Sequence, residues 1–261
     1  MKRTYVKLLT VAGLTGCFLF TSCRSAQETT ARYEISKVEG NMITIDSTWD
    51  ANPDKKATTV LKPYKDKVDA MMYEVIGTSE MKMDKGTPES LLSNLVASVL
   101  QEAAAQVLGK PADMGLVNMG GLRNILPKGD ITVGAVFEIL PFENSLCVLT
   151  MKGTDMKRLF KAIASLHGEG VSGIRLEINK KGELLNATIG GKPVVDDQLY
   201  TVATIDYLAD GNGRMDAFLQ AEKRECPEDA TLRGLFLDYV RKQTAEGKII
   251  TSKLDGRITV N

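Results

Sequence analysis

Asn118-Met119-Gly120-Gly121-Leu122-Arg123 closes an apolar run from Met114 to Val117, and about twenty residues on comes Leu140-Pro141-Phe142-Glu143-Asn144. Paired glycines after an apolar run predict a strand that ends in a sharp turn, or a backbone that a ligand approaches closely. The flanking Asn118 and Arg123 place an amide with donors and an acceptor, and a planar cation, on one loop. Phe142 follows a proline that favours an extended or turn conformation. Together these residues offer an aromatic face and polar groups to a planar, anionic ligand.

Outward from this stretch the chain alternates strand and helix signals. Thr87-Pro88-Glu89 predicts a helix start, and Leu91, Leu92, Leu95, Val96, Val99, Leu100, Ala103, Val107 and Leu108 make a broad apolar stripe that Gly109 closes. Helices are also predicted over Ile131–Ile139, Thr154–Leu166 and Thr231–Thr244. Another begins at Asn52-Pro53-Asp54, with Asn52 as cap, and runs along Val60, Leu61, Tyr64, Val68, Met71, Met72 and Val75. Pro63 should kink or interrupt it, and the methionine pair is expected in the core. Strands are predicted at Ile43–Ile45, Gly115–Val117, Ser145–Met151, Ile174–Ile178, Leu184–Ile189, Tyr200–Leu208 and Arg257–Val260, the period-two pattern being clearest at Ile174, Leu176 and Ile178. Thr78–Thr87 is expected as loop. No repeat or low-complexity segment interrupts the series. The expected fold class is α+β, with mixed β-sheet layers covered by helices.

The N-terminus has a different character. Lys2, Arg3 and Lys7 precede an apolar run, Leu8 to Phe20, too short for a comfortable membrane span. Thr21-Ser22-Cys23 then resembles a bacterial lipobox, with Cys23 as the lipidated residue. Leu14-Thr15-Gly16-Cys17 also fits, but cleavage there would leave Phe18-Leu19-Phe20 exposed. The expected organisation is a lipoprotein signal peptide over 1–23, a tether over 24–50 and a domain over 51–261. No later stretch is expected to cross a bilayer, which makes the chain a lipid-anchored envelope protein, periplasmic or surface-facing. Equal numbers of acidic and basic residues, 33 each, give no reason to expect a nucleic-acid polymer as partner. Cys147 and Cys226 remain in the body. An oxidising compartment permits a disulfide, although two separate thiols is the plainer expectation.

The motifs resemble the C-terminal, substrate-specificity domain of the 5′-nucleotidase family. That family carries Asn-Gly-Gly-Gly-Ile-Arg, Gly-x-Ile-Thr and Pro-Phe-x-Asn where this chain has Asn118–Arg123, Gly129-Asp130-Ile131-Thr132 and Pro141-Phe142-Glu143-Asn144. Lys152-Gly153-Thr154-Asp155-Met156 is similar to the family's Thr-Gly-x-x-Leu, and Pro88–Leu95 to its Glu-x-x-Leu-Gly-Asn-Leu. Asp206-Tyr207-Leu208-Ala209-Asp210-Gly211-Asn212 resembles the family's Asn-Phe-Leu-Ala-x-Gly-Gly. The resemblance implies that Phe142 and Tyr207 sandwich a base, that Asn118 meets the base edge beside Gly120 and Gly121, and that Arg123 faces ribose and phosphate. The family's ribose-binding aspartate falls opposite Gly213, leaving Asp210 or Asn212 as substitutes. No arginine occupies Lys82–Pro88, where the family has one, and Met119 replaces a glycine.

In that family a separate N-terminal metallophosphatase domain performs the hydrolysis with two metal ions held by histidines, aspartates and an asparagine. This chain has one histidine, His167, near a predicted helix end, where a charge–dipole or surface role is expected. The resemblance therefore implies the nucleotide-binding half of a split hydrolase in nucleotide catabolism, with no catalytic residue or metal site of its own. Divalent metals are expected only in a partner catalytic chain, a metallophosphatase. The alternatives are a non-catalytic nucleoside- or nucleotide-sugar-binding lipoprotein and a degenerate protein-interaction module.

Overall fold

A computed structural model describes residues 34–261, so the apolar leader, Cys17 and Cys23 lie outside the described residues. The chain divides after Pro53 into two units. In the first, residues 34–45 are exposed and take no regular structure. The strand expected at Ile43–Ile45 does not form: among the described residues no strand pairs with it, and an unpaired strand leaves its backbone groups to water. Ser47–Ala51 make a 3₁₀ turn whose start is capped by Asp46, which accepts from the Thr48 N–H at 3.0 Å.

The second unit opens with α1 (Lys55–Met72). Its cap is Asp54, two residues later than expected, and the carboxylate accepts from the Ala57 N–H at 2.9 Å. The helix runs through Pro63 rather than breaking there, forgoing the one bond that proline cannot donate. Met72 packs on the core but Met71 is exposed, against the expectation that both would be interior. β1 (Val75–Ser79) follows at once, so Val75 starts a strand instead of extending the helix, and the stretch expected to be loop is partly sheet. α2 (Leu91–Ala103) and α3 (Ala105–Leu108) form the expected long apolar helix in two pieces. Ser90 rather than Thr87 caps α2, and Gly109 ends α3 at φ 70°, the left-handed conformation that glycine takes without strain.

The remaining elements, in order, are β2 (Met114–Val117), β3 (Gly129–Thr132), α4 (Val133–Ile139), β4 (Leu146–Lys152), α5 (Gly153–Ser165), β5 (Gly170–Ser172), β6 (Ile174–Ile178) and β7 (Leu184–Ile189). They continue as β8 (Lys192–Pro193), β9 (Leu199–Ile205), the short α6 (Asp206–Ala209), β10 (Lys223–Glu225), α7 (Leu232–Ala245) and β11 (Ile258–Val260). The helix expected over Ile131–Ile139 begins two residues later, because Ile131 and Thr132 pair with β1 and Thr132 then caps α4 through the Ala135 N–H at 3.1 Å.

Three sheets result, as the α+β reading requires. A five-stranded sheet has the order β10-β4-β9-β2-β5, a four-stranded sheet β11-β6-β7-β8, and β1 pairs with β3. Within the five-stranded sheet β2 and β9 are parallel and the other neighbours antiparallel. α5 packs between the two larger sheets, and α2 lies on β2, β5 and β9. Leu92, Leu95, Val96, Val99 and Leu100 of α2 are all buried, each contributing roughly 1.5–3 kcal/mol relative to exposure. The approach is close because Gly115 lacks a side chain: a Cβ there would lie 2.2 Å from the Ala97 carbonyl oxygen.

Cys147, buried on β4, and Cys226, exposed after β10, are joined as a disulfide. Two separate thiols is thus the wrong expectation; the antiparallel β10–β4 pairing, unread in the sequence, brings them together. His167 is exposed just past α5 with φ 59°, its N–H bonded to Ala164 O and that of Gly168 to Ile163 O. This 6→1, 5→2 pattern caps the helix. By length and composition Leu91–Leu108 also meets the requirement for a membrane span, contrary to expectation, but half of that segment is buried in this core.

Candidate functional site

The register places four loops at one end of the five-stranded sheet. Parallel β2 and β9 run toward it, and Asn118 and Asp206 follow their last residues. Leu146, the first residue of β4, pairs with Ile205, the last of β9, and Val117 pairs with Gly170, the first of β5. The segments before β4 (Pro141–Ser145) and before β5 (Gly168–Glu169) therefore meet the segments after β2 and β9. Asn118, Gly120, Gly121, Arg123, Phe142, Tyr207, Asp210 and Asn212, scattered over about a hundred residues of sequence, all belong to this end.

The Asn118 loop is a 3₁₀ turn, Met119–Gly121. Its glycines are not required by a left-handed backbone. They are required by the Asn118 side chain, which folds over them: a Cβ on Gly121 would sit 2.9 Å from Asn118 Oδ1, and one on Gly120 3.4 Å from Nδ2. Asn118 Oδ1 is buried and has no hydrogen-bond partner. Two residues unread in the sequence hold the loop. Lys85 donates to the carbonyl oxygens of Leu122 and Met119, and buried Glu169 accepts the Met119 N–H. Burial pushes the Glu169 carboxyl up to about 7, opposed only by that N–H.

Arg123 and Phe142 come together. The Arg123 N–H bonds to Ile139 O at 2.9 Å, which ties the first loop to the end of α4. Its guanidinium carbon then lies 5.9 Å from the centroid of the Phe142 ring, within the range of a cation–π contact. Phe142 is 48% exposed, so it is no core residue. Its loop is fixed by Arg233 on α7, also unread in the sequence. That buried guanidinium stacks 4.1 Å from the Phe137 ring, donates to Leu140 O at 3.1 Å and pairs with Glu143.

Tyr207 is 45% exposed. It sits on the first turn of α6 and not at a strand end, because β9 stops at Ile205, where the Asp206 N–H turns to Ser145 O. The loop beyond it is tightly wound, with Gly211, Gly213 and Arg214 all at positive φ (83°, 66° and 68°). A left-handed arginine is uncommon and strain of this kind concentrates at functional sites. Asp210 pairs with Arg224 of β10 at 2.7 Å, and Asn212 is exposed.

Among the described residues no group of three or more His, Cys, Asp or Glu side chains is arranged to hold a metal ion. The large cavity, about 630 Å³ and lined by Asp113, Gly173, Gln198 and Tyr200, opens at the other end of the sheet, before β2 and β9 begin.

Comparison with known proteins agrees with the resemblance at the level of family and fold. The chain is 28% identical over 188 residues to Endonuclease YhcR of Bacillus subtilis, covering 69% of this chain and 15% of that protein. It is 27% identical over 240 residues to Cell wall protein Lmo0130 of Listeria monocytogenes, covering 81% and 30% respectively. Among solved structures, the 5′-nucleotidase precursor of Thermus thermophilus superposes with a TM-score of 0.66 at 26% identity, over 81% of this chain and 44% of that one. The chain thus spans less than half the length of each of these proteins. The family described as 5′-nucleotidase, C-terminal domain matches residues 75–220, more than half of the chain and the whole of the four-loop end described above, and this chain belongs to that family.

Proposed function

We propose that this chain is the nucleoside-binding half of a split 5′-nucleotidase, and that a separate metallophosphatase chain supplies the divalent metals and the catalytic groups. The observation that carries the reading is a specificity domain with its motif loops gathered at one sheet end, in a chain whose single histidine, His167, turns its ring toward the Gly182 turn. In this reading Phe142 and Tyr207 stack on the base, each stack contributing roughly 1–3 kcal/mol with little preference among bases. Arg123 covers one face of Phe142, so the base takes the other, and the guanidinium is left to face the ribose and phosphate. Asn118 turns its amide to the base edge. Its Oδ1 has no partner to give up, so that rotation breaks no bond at that oxygen. Gly120 and Gly121 keep the loop low enough for close approach. Asp210, with lone pairs left beyond its bond to Arg224, and Asn212 serve the ribose hydroxyls.

The same reading has the protein exported and lipid-anchored through Cys23 in the bacterial envelope; the likeness to a cell wall protein supports an envelope setting. Mixing the purified chain with a metallophosphatase chain from the same genome that lacks a specificity domain is expected to give a complex and faster phosphate release from AMP. A nucleoside that binds with no gain in rate would favour a stand-alone binding protein instead. Neither binding nor rate gain would leave only an interaction module.

A further inference from the structure

Among the described residues, nothing packs on one face of α1. At about 100° per residue, Val60, Leu61, Tyr64, Val68 and Met71 share one stripe, and they are 59, 61, 69, 45 and 55% exposed. Lys62–Asp66 and Lys65–Asp69 pair on the opposite side, and no residue of the helix is buried. The helix meets the body through α4, where the Met72 carbonyl lies 3.0 Å from the position a Gly134 Cβ would take. An amphipathic helix of this length draws most of its stability from packing its apolar face.

We propose that the α1 stripe is the docking face for the metallophosphatase chain, an inference that rests on the split-enzyme reading. Two observations favour this occupant. α1 ends at Met72, just ahead of the family match that starts at residue 75. That match is to a C-terminal domain, and the Thermus relative has more than half of its length outside the part matched. α1 therefore stands where the rest of such a protein joins this domain. The second observation is reach. Met72 abuts Gly134 near the start of α4, and Phe142 follows the end of α4 by three residues. Seven helical residues span about 10 Å, so a partner seated on α1 lies beside the Arg123–Phe142 end, where the phosphate must be presented. Lys56 and Lys67 edge the stripe, so the complementary surface is an apolar groove with an acidic rim.

The test uses the full chain, the double variant Leu61→Glu/Val68→Glu, and the milder Tyr64→Ala, each mixed with a purified metallophosphatase chain from the same genome that lacks a specificity domain. Complex formation is read by sedimentation, AMP hydrolysis by phosphate release, and integrity of the fold by nucleoside titration. The wild-type chain is expected to bind and stimulate. The double variant should weaken the complex by more than about tenfold and lose the stimulation, Tyr64→Ala should move the same way, and nucleoside binding should be unchanged. If the double variant stimulates as the wild type does, α1 is not the face, and the split-enzyme reading survives. A wild-type chain that neither binds nor stimulates removes both. Two further outcomes also overturn the docking face while leaving the split enzyme intact. One is a self-dimer that the double variant dissociates with stimulation unchanged; the other is binding to phosphatidylglycerol vesicles that the double variant loses with stimulation unchanged.

Discussion

Replacing Cys147 and Cys226 together by alanine is expected to lower the unfolding free energy by about 4 kcal/mol. The disulfide joins residues 79 apart in sequence, and constraining an unfolded chain of that length favours the native state by roughly this amount. The local structure adds to the effect. β10 has β4 as its sheet partner, and the bond pins the chain just past β10 to the interior of β4. Urea denaturation monitored by circular dichroism, with and without reductant, measures the change. A midpoint that moves by less than about 0.5 kcal/mol equivalent, within the range of an ordinary surface substitution, would contradict the bond's role.

Glu169 is expected to make the fold less stable as pH rises from 4.5 toward 7. Its carboxyl is buried under the Asn118 loop and pushed up to about 7 from an ordinary 4.5. The native state therefore binds the proton more tightly than the unfolded chain throughout that window. Stability from this group is fully present below 4.5, falls through the window and levels off above 7, a change on the order of 3 kcal/mol. Glu169→Gln keeps an acceptor for the Met119 N–H but cannot ionise. Its unfolding free energy should be flatter across the window and higher than wild type at pH 8. Identical slopes for the two proteins would show that the carboxyl is not held as the structure implies.

Much of the fold was legible because burial writes a period into the sequence. The wide stripe of α2 and the alternation at Ile174–Ile178 each fix an element and its inward face. What was not legible depends on partners distant in sequence. β1, β3 and β10 are short, and the last lies on a charged stretch, so only their neighbours identify them as strands. The disulfide follows from β10 and was lost with it. Helix starts at Asn52 and Thr87 were misplaced because a better-positioned Asp54 and Ser90 lay two and three residues on. At the candidate site the loop residues were singled out through motif likeness, whereas the residues that hold those loops, Glu169, Lys85 and Arg233, were not. These act through hydrogen bonds to loop backbone, and nothing in local sequence marks such a bond. The match at Glu89 is of the same kind. Its carboxylate accepts from the Asp255 and Arg257 N–H groups at 2.9 Å each, anchoring the C-terminal segment.

The central claim is that the Asn118, Phe142 and Tyr207 end of the sheet holds a nucleoside. Calorimetric titration of adenosine and AMP into the wild-type chain and into Phe142→Ala tests it most directly. The wild type is expected to bind, and Phe142→Ala to weaken binding by about 1–3 kcal/mol with an unchanged melting temperature, since the ring is half exposed. Absence of binding to the wild type, or a Phe142→Ala variant that binds equally well, would contradict the account.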